Sequence, residues 1–207
     1  MLADSILTAP PAPTLADARA TLERVWGHGD FRGLQSEVVT EILAGRDVLA
    51  VLPTGGGKSV CYQIPAMLRP GLGLVVSPLI ALMTDQVEAL NQQGVAAARL
   101  DSGVSLDDRS AIWRQAQAGD LDLLYVSPEG LGSALAERLA DLNVSLIAVD
   151  EAQASLEGEH PHTRTVLVEF PDAEAARGFY ESEEYQAIIG HRHAASTGSV
   201  TIINGMS

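Results

Sequence analysis

Residues 51–59 read VLPTGGGKS: three consecutive glycines, then a lysine and a serine. Glycines let backbone N–H groups converge on an anion, and a helix opening at the lysine adds the positive end of its dipole. In that setting Thr54, Gly55, Gly56, Gly57, Lys58 and Ser59 form a phosphate cradle. Lys58, the chain's single lysine, would neutralise the β- and γ-phosphates, and the Ser59 hydroxyl would hold Mg²⁺. A strict phosphate-loop pattern has glycine where Leu52 stands. A second chemical feature follows at residues 147–153, IAVDEAQ, an apolar strand that ends in two carboxylates. Downstream of a phosphate loop, Asp150 is placed to bind the metal through water and Glu151 to orient the water that attacks the γ-phosphate. Taken singly, the first feature could be a glycine-rich turn and the second a helix cap. Their occurrence in one chain favours ATP and Mg²⁺ chemistry.

Such residues need a scaffold that brings distant loops to one edge. From residue 46 onward, short apolar runs alternate with segments of three- and four-residue apolar spacing. The pattern predicts strands at 47–52, 73–76, 95–100, 121–126 and 144–150. Between them it predicts helices at about 58–68, 79–93, 106–118 and 131–142. This alternation implies an α/β fold with a doubly wound parallel sheet. An earlier helix starts with Thr14 as its cap and stops at Gly27. Residues 1–13, rich in Ala and Pro, read as a disordered lead-in. After residue 153 the texture changes: residues 165–170, TVLVEF, form a strand, two short helices follow, and SVTIIN closes the chain as a strand.

A formal net charge of −14 argues against a protein that coats nucleic acid, since neutralising phosphates needs clustered Lys and Arg. Any nucleic-acid contact must be local. No apolar run approaches the roughly 18 residues a membrane span needs, and the opening MLADSILTAP lacks the positive charge of a secretory signal. A cytoplasmic location without membrane contact is the expectation. Cys61 is the only cysteine, which excludes an internal disulfide and suits a small buried hydrophobe. The pairs His160/His162 and His191/His193 could offer metal ligands, but with no supporting cysteine or carboxylate they read as solvated.

Assembled, residues 22–153 resemble the N-terminal RecA-like half of a RecQ-type, superfamily 2 ATP-dependent DNA helicase. The stretch VWGHGDFRGLQSEVV resembles that family's adenine-recognition motif, in which Arg32 and Gln35 would contact the base; His28 stands where an aromatic residue usually stacks. LPTGGGKSVCYQIP matches the family's phosphate loop, including a residue other than glycine at Leu52. SPLIALMTDQV and LLYVSPEGL resemble motifs that touch single-stranded DNA, implying contacts from Ser77, Pro78, Leu79, Thr84, Ser127 and Pro128; Gly130 replaces a usual arginine. The resemblance implies ATP hydrolysis coupled to 3′ to 5′ movement on DNA.

Departures from the family pattern begin at the acidic pair. Gln153 replaces the histidine of Asp-Glu-Ala-His, and neither the aromatic-rich loop nor the second motor domain with its arginine finger follows. The expectation is a RecA-like domain over 14–153 that is incomplete and does not unwind DNA alone. Beyond a junction at 154–162, residues 163–207 resemble the second half of a dimeric α+β barrel family of unknown function, a β-α-α-β, ferredoxin-like half. That likeness implies a homodimer through the C-terminal segment. In RecA-like domains a later strand inserts between the phosphate-loop strand and the acidic strand, and 165–170 is the expected occupant of that slot. The alternative function is a fusion or truncated product that acts as an interaction module without catalysis.

Overall fold

The computed structural model describes residues 11–51, 57–130, 133–150 and 202–204. Helix α1 (Leu15–Trp26) opens on a reciprocal cap, in which the Thr14 hydroxyl accepts from the Asp17 N–H and the Asp17 carboxylate accepts from the Thr14 N–H. This satisfies N–H groups that the first turn leaves without a helical partner. Its end at Gly27, at φ 70°, uses a left-handed conformation open to glycine. Helix α2 (Gln35–Leu43) follows and was not anticipated from the sequence. Leu34 at its cap position offers no side-chain hydrogen bond, so the usual start signal is missing.

The remaining elements alternate as expected: β1 (Leu49–Val51), α3 (Lys58–Leu68), β2 (Leu72–Val76), α4 (Ile80–Gln92), β3 (Ala97–Leu100), α5 (Leu106–Ala118), β4 (Leu123–Val126), α6 (Ser133–Ala140) and β5 (Val144–Val149). Strands β3, β4, β2 and β5 form a parallel sheet in that order. The strand expected at 47–52 begins later, at Leu49, and within the helix expected at 131–142 residues 133–140 are described as helical; a turn at Leu142, whose N–H donates to the Leu139 carbonyl, follows the helix and keeps Leu142 in the core. Strand β6 (Ile202–Asn204) lies within the predicted SVTIIN strand and pairs in parallel with β1, Ala50 opposite Ile203. Residues 165–170, the expected occupant of the slot beside β1, lie outside the described residues. The histidine pairs and most of the β-α-α-β segment lie outside them too.

Alternating side chains split the core across the sheet. Val75, Leu123, Tyr125, Leu146 and Ala148 face α3 and α4, where they meet Tyr62, Ala66, Met83, Val87 and Leu90. Leu72, Leu74, Val76, Leu124 and Val126 face the other way, against Ile112, Trp113 and Ala116 of α5 and Leu135 and Leu139 of α6. This is the two-sided burial that gives parallel strands continuous apolar runs. A register shift between Leu72 and Gly73 opposite β5 lets both Val144 and Leu146 reach core positions on opposite faces. A smaller cluster of Ala18, Leu22, Val39 and Ile64 ties α1 and α2 onto α3. No described helix is long and apolar enough to cross a membrane.

Candidate nucleotide site

Gly57 caps α3 at φ 69°, a left-handed conformation, and Lys58 and Ser59 are the first two residues of that helix. The helix start therefore falls where the sequence places it, with the lysine and serine in the turn whose N–H groups face outward. Leu52 to Gly56, which include Thr54, Gly55 and Gly56, lie outside the described residues. Gln35, the first residue of α2, is buried and reaches across to the loop. Its Oε1 accepts from the Arg32 N–H at 2.8 Å, and its Nε2 donates to the Gly57 carbonyl at 3.1 Å. A Cβ on Gly57 would stand 2.5 Å from that Nε2, so any other residue there would push the Gln35 carboxamide aside. Arg32 and His28 are exposed. The residues expected to read a base and those expected to hold phosphates thus meet.

Asp150 follows β5 and is 8% exposed. Its N–H donates to the Val76 carbonyl at 2.9 Å, which fixes the backbone at the sheet's carboxyl edge. Its Oδ2 lies 2.8 Å from the Tyr62 hydroxyl, a contact that ties the acidic strand to the phosphate-loop helix. Lys58 and Tyr62 are four residues apart in α3, so they share one face. Lys58 stands one turn from the residue that touches Asp150, on the side nearer the helix N-terminus. Glu151 and Gln153 lie outside the described residues.

Tyr62, Gln63, Gln86 and Tyr125 were not picked out from the sequence, yet they form a buried polar network beneath the site. The Tyr62 hydroxyl lies 2.9 Å from Gln86 Oε1, Gln86 Nε2 lies 3.5 Å from Asp150 Oδ2, and Gln63 Nε2 donates to the Tyr125 hydroxyl at 2.8 Å. Burial, and then the neighbouring Tyr125 and Asp150, push the Tyr62 phenol well above its ordinary value. It therefore remains protonated and available as a donor. Burial likewise raises Tyr125 and pushes the Cys61 thiol up to about 12. Cys61 is the inert hydrophobe that its singleness suggested.

The residues expected to touch DNA occupy two turns on the same edge and, for Thr84, helix α4. Ser77 is buried after β2, with its N–H donating to the Val126 carbonyl, while Pro78 and Leu79 are exposed. Thr84 lies on α4, where its hydroxyl donates to the Ile80 carbonyl. Ser127 is buried after β4, and Pro128 opens the 3-10 turn Pro128–Gly130. Among the described residues, no group of three or more His, Cys, Asp or Glu could hold a metal. Mg²⁺ needs no such cage, because one or two oxygen ligands, waters and substrate phosphates commonly complete its shell. The oxygen donors of Ser59 and Asp150 fit that chemistry.

The sequence family described as DEAD/DEAH box helicase matches residues 32–185. An ATP-dependent DNA helicase RecQ from Synechocystis is 54% identical over 110 residues, covering 53% of this chain and 23% of the relative. A RecQ from Haemophilus influenzae is 39% identical over 163 residues, covering 75% and 26%. The chain thus spans about a quarter of the length of these curated relatives. The crystal structure of a DUF1998 helicase, MrfA, bound to DNA superposes with a TM-score of 0.64 at 18% identity, covering 94% of this chain and 30% of that one.

Proposed function

Since this chain belongs to the DEAD/DEAH box helicase family and has RecQ-type relatives, we propose that it binds ATP with Mg²⁺ as the first motor half of a RecQ-type, 3′ to 5′ DNA helicase. The observation that carries this reading is the 2.8 Å contact between Tyr62 and Asp150. It brings the strand that ends in carboxylates against the helix that opens with Lys58 and Ser59, as a metal-nucleotide site requires.

In this reading Arg32 and Gln35 contact the adenine, and Thr54 to Gly57 cradle the phosphates with their N–H groups. Lys58 balances the β- and γ-phosphate charge. Ser59 and Asp150 hold the metal ion, which when bound neutralises charge that develops on the transferring phosphate. Glu151 orients the attacking water. Ser77, Pro78, Leu79, Thr84, Ser127 and Pro128 contact the backbone of single-stranded DNA, weakly and locally. An arginine supplied from outside this half is worth about 10³ to 10⁵ in rate in comparable phosphoryl-transfer sites. Nucleotide binding is therefore the activity to seek in this chain, and unwinding by it alone is not expected.

Titration of a fluorescent ATP analogue tests the reading. With Mg²⁺ present, Lys58→Ala should weaken binding at least tenfold against the wild-type chain. Equal affinities would overturn the nucleotide site and leave the interaction module, with a dimer through 163–207, as the reading to pursue. Sedimentation showing a monomer would remove that dimer.

A further inference from the structure

The network under the site does more than fill the core, because two of its donors, the Tyr62 hydroxyl and Gln86 Nε2, meet on one oxygen of one carboxylate. Tyr62, Gln63, Tyr125 and Asp150 are all at least nine-tenths buried, and Gln86 of α4 completes the group. The Tyr62 hydroxyl carries one proton and, beside the Tyr125 hydroxyl, faces Asp150 Oδ2 at 2.8 Å and Gln86 Oε1 at 2.9 Å. A charged acceptor makes the shorter and stronger bond, so the proton goes to the carboxylate. Gln86 Nε2 approaches the same Oδ2 at 3.5 Å, a longer contact. Donors gathered on Oδ2 fix the rotation of the carboxylate about its Cβ–Cγ bond and hence the position of Oδ1.

We propose that Tyr62 and Gln86 are positioning residues, which hold the Asp150 carboxylate by its Oδ2 in the orientation that Mg²⁺-nucleotide requires. The proposal rests on the nucleotide reading above. It also gives α4 a role at the metal site. Gln86 lies two residues beyond Thr84, on the helix whose start presents the exposed Leu79 and Ile80. A displacement of α4 is felt at Asp150 through one side chain.

A buried phenol must find a partner in any fold, so the competing account is plain satisfaction of a core hydroxyl. The metal dependence of nucleotide binding separates the two. The full 207-residue chain is titrated with a fluorescent ATP analogue at increasing Mg²⁺ and, separately, in EDTA. Partners that orient a ligand from outside the metal's own shell typically shift metal affinity 10- to 100-fold. Tyr62→Phe removes only the hydroxyl, and should raise the Mg²⁺ midpoint about tenfold while leaving affinity in EDTA within twofold. Tyr125→Phe removes a hydroxyl of the same network that bonds Gln63 and neighbours Tyr62 but makes no hydrogen bond to Asp150, and should shift the midpoint less than threefold.

A Tyr62→Phe midpoint within twofold of wild type, or equal losses with and without Mg²⁺, overturns the proposal. If Tyr62→Phe does not fold by circular dichroism, Gln86→Met carries the test, with a midpoint shift of at least threefold expected and an unchanged midpoint overturning it. Failure of the underlying nucleotide reading looks different. In that case the wild-type chain itself binds the analogue no better than Lys58→Ala at any Mg²⁺ concentration, and the proposal falls with it.

Discussion

Gly73 controls how closely the phosphate-loop helix lies on the sheet. It is in β2, which is hydrogen-bonded on both edges, to β4 and β5. A Cβ at this position would stand 2.5 Å from the Ala66 Cβ of α3 and 3.2 Å from the Asp122 carbonyl oxygen. Carbon atoms in contact sit about 3.5 to 4.0 Å apart, so Gly73→Ala forces α3 outward by about 1 Å or more. Neither methyl has a rotamer to turn, and β2 cannot slide away between its neighbours. Overpacking of this kind costs about 1 to 3 kcal/mol, and the absence of an escape route puts the expected loss at about 2 to 3 kcal/mol. Because Lys58 and Ser59 ride on the same helix, nucleotide affinity should fall as well.

Urea unfolding followed by circular dichroism measures the loss, and a double-mutant cycle assigns it. Ala66→Gly alone should cost about 1 kcal/mol in helix propensity and about 0.8 kcal/mol in buried methyl. Combined with Gly73→Ala it removes the 2.5 Å clash with the Ala66 Cβ and leaves only the 3.2 Å contact to the Asp122 oxygen. The pair should therefore be more stable than the sum of the single losses by about 1 to 2 kcal/mol. A Gly73→Ala protein within 0.5 kcal/mol of wild type, or strictly additive losses, would refute the close approach of α3.

Two other predictions follow from buried groups. Gln35→Ala removes the carboxamide that links Arg32 to Gly57, and should weaken ATP binding about tenfold while changing tripolyphosphate binding less than threefold, as isothermal titration would report. Equal effects on both ligands would deny Gln35 a role in reading the base. Cys61, whose ordinary value of 9.0 is pushed up to about 12, keeps its proton when folded and releases it when unfolded. Its contribution is fully present below about pH 9 and is lost as pH rises toward 12, by up to about 1.4 kcal/mol per unit. Between pH 8 and pH 10, Cys61→Ala should therefore lose less stability than wild type, by about 1 kcal/mol in urea titrations. Parallel pH curves would contradict the burial argument.

The part of the site legible in the sequence is the part whose chemistry dictates residue type. Glycines before Lys58 and carboxylates after an apolar strand have few other uses together; of that signal, the described Gly57 and Lys58 stand at the start of α3 and Asp150 at the end of β5. Tyr62 and Gln86 carried no such signal. A tyrosine on the core face of a helix reads as packing, and the separation of 88 positions from Tyr62 to Asp150 hides the contact that gives it a partner. Helix α2 escaped notice for a different reason: Leu34 supplies no cap, and nine residues give the apolar period little room. The pairing of β1 with β6 joins residues about 150 positions apart, from Ala50 to Ile203, and no local pattern encodes which edge a distant strand selects.

Topology explains why the readable and the hidden residues meet. In a parallel sheet every strand ends on the same edge, and ligands of such folds bind there. Ser77 follows β2, Ser127 follows β4, Asp150 follows β5, and α3 opens on the way from β1 to β2. The residues proposed to contact nucleotide and DNA therefore share one rim, with the Tyr62 and Gln86 network as the floor between them. Charge then divides their roles. With 13 Lys and Arg against 27 Asp and Glu, the chain cannot draw DNA in by neutralising many phosphates, whereas a triphosphate needs only one lysine and one helix start. On the proposed reading, DNA contact at Ser77 to Thr84 depends on hydroxyls, N–H groups and the exposed Leu79 and Ile80 more than on cations. Its dependence on salt must then be shallow, and its strength must follow the position of α4, the element that Gln86 links to Asp150.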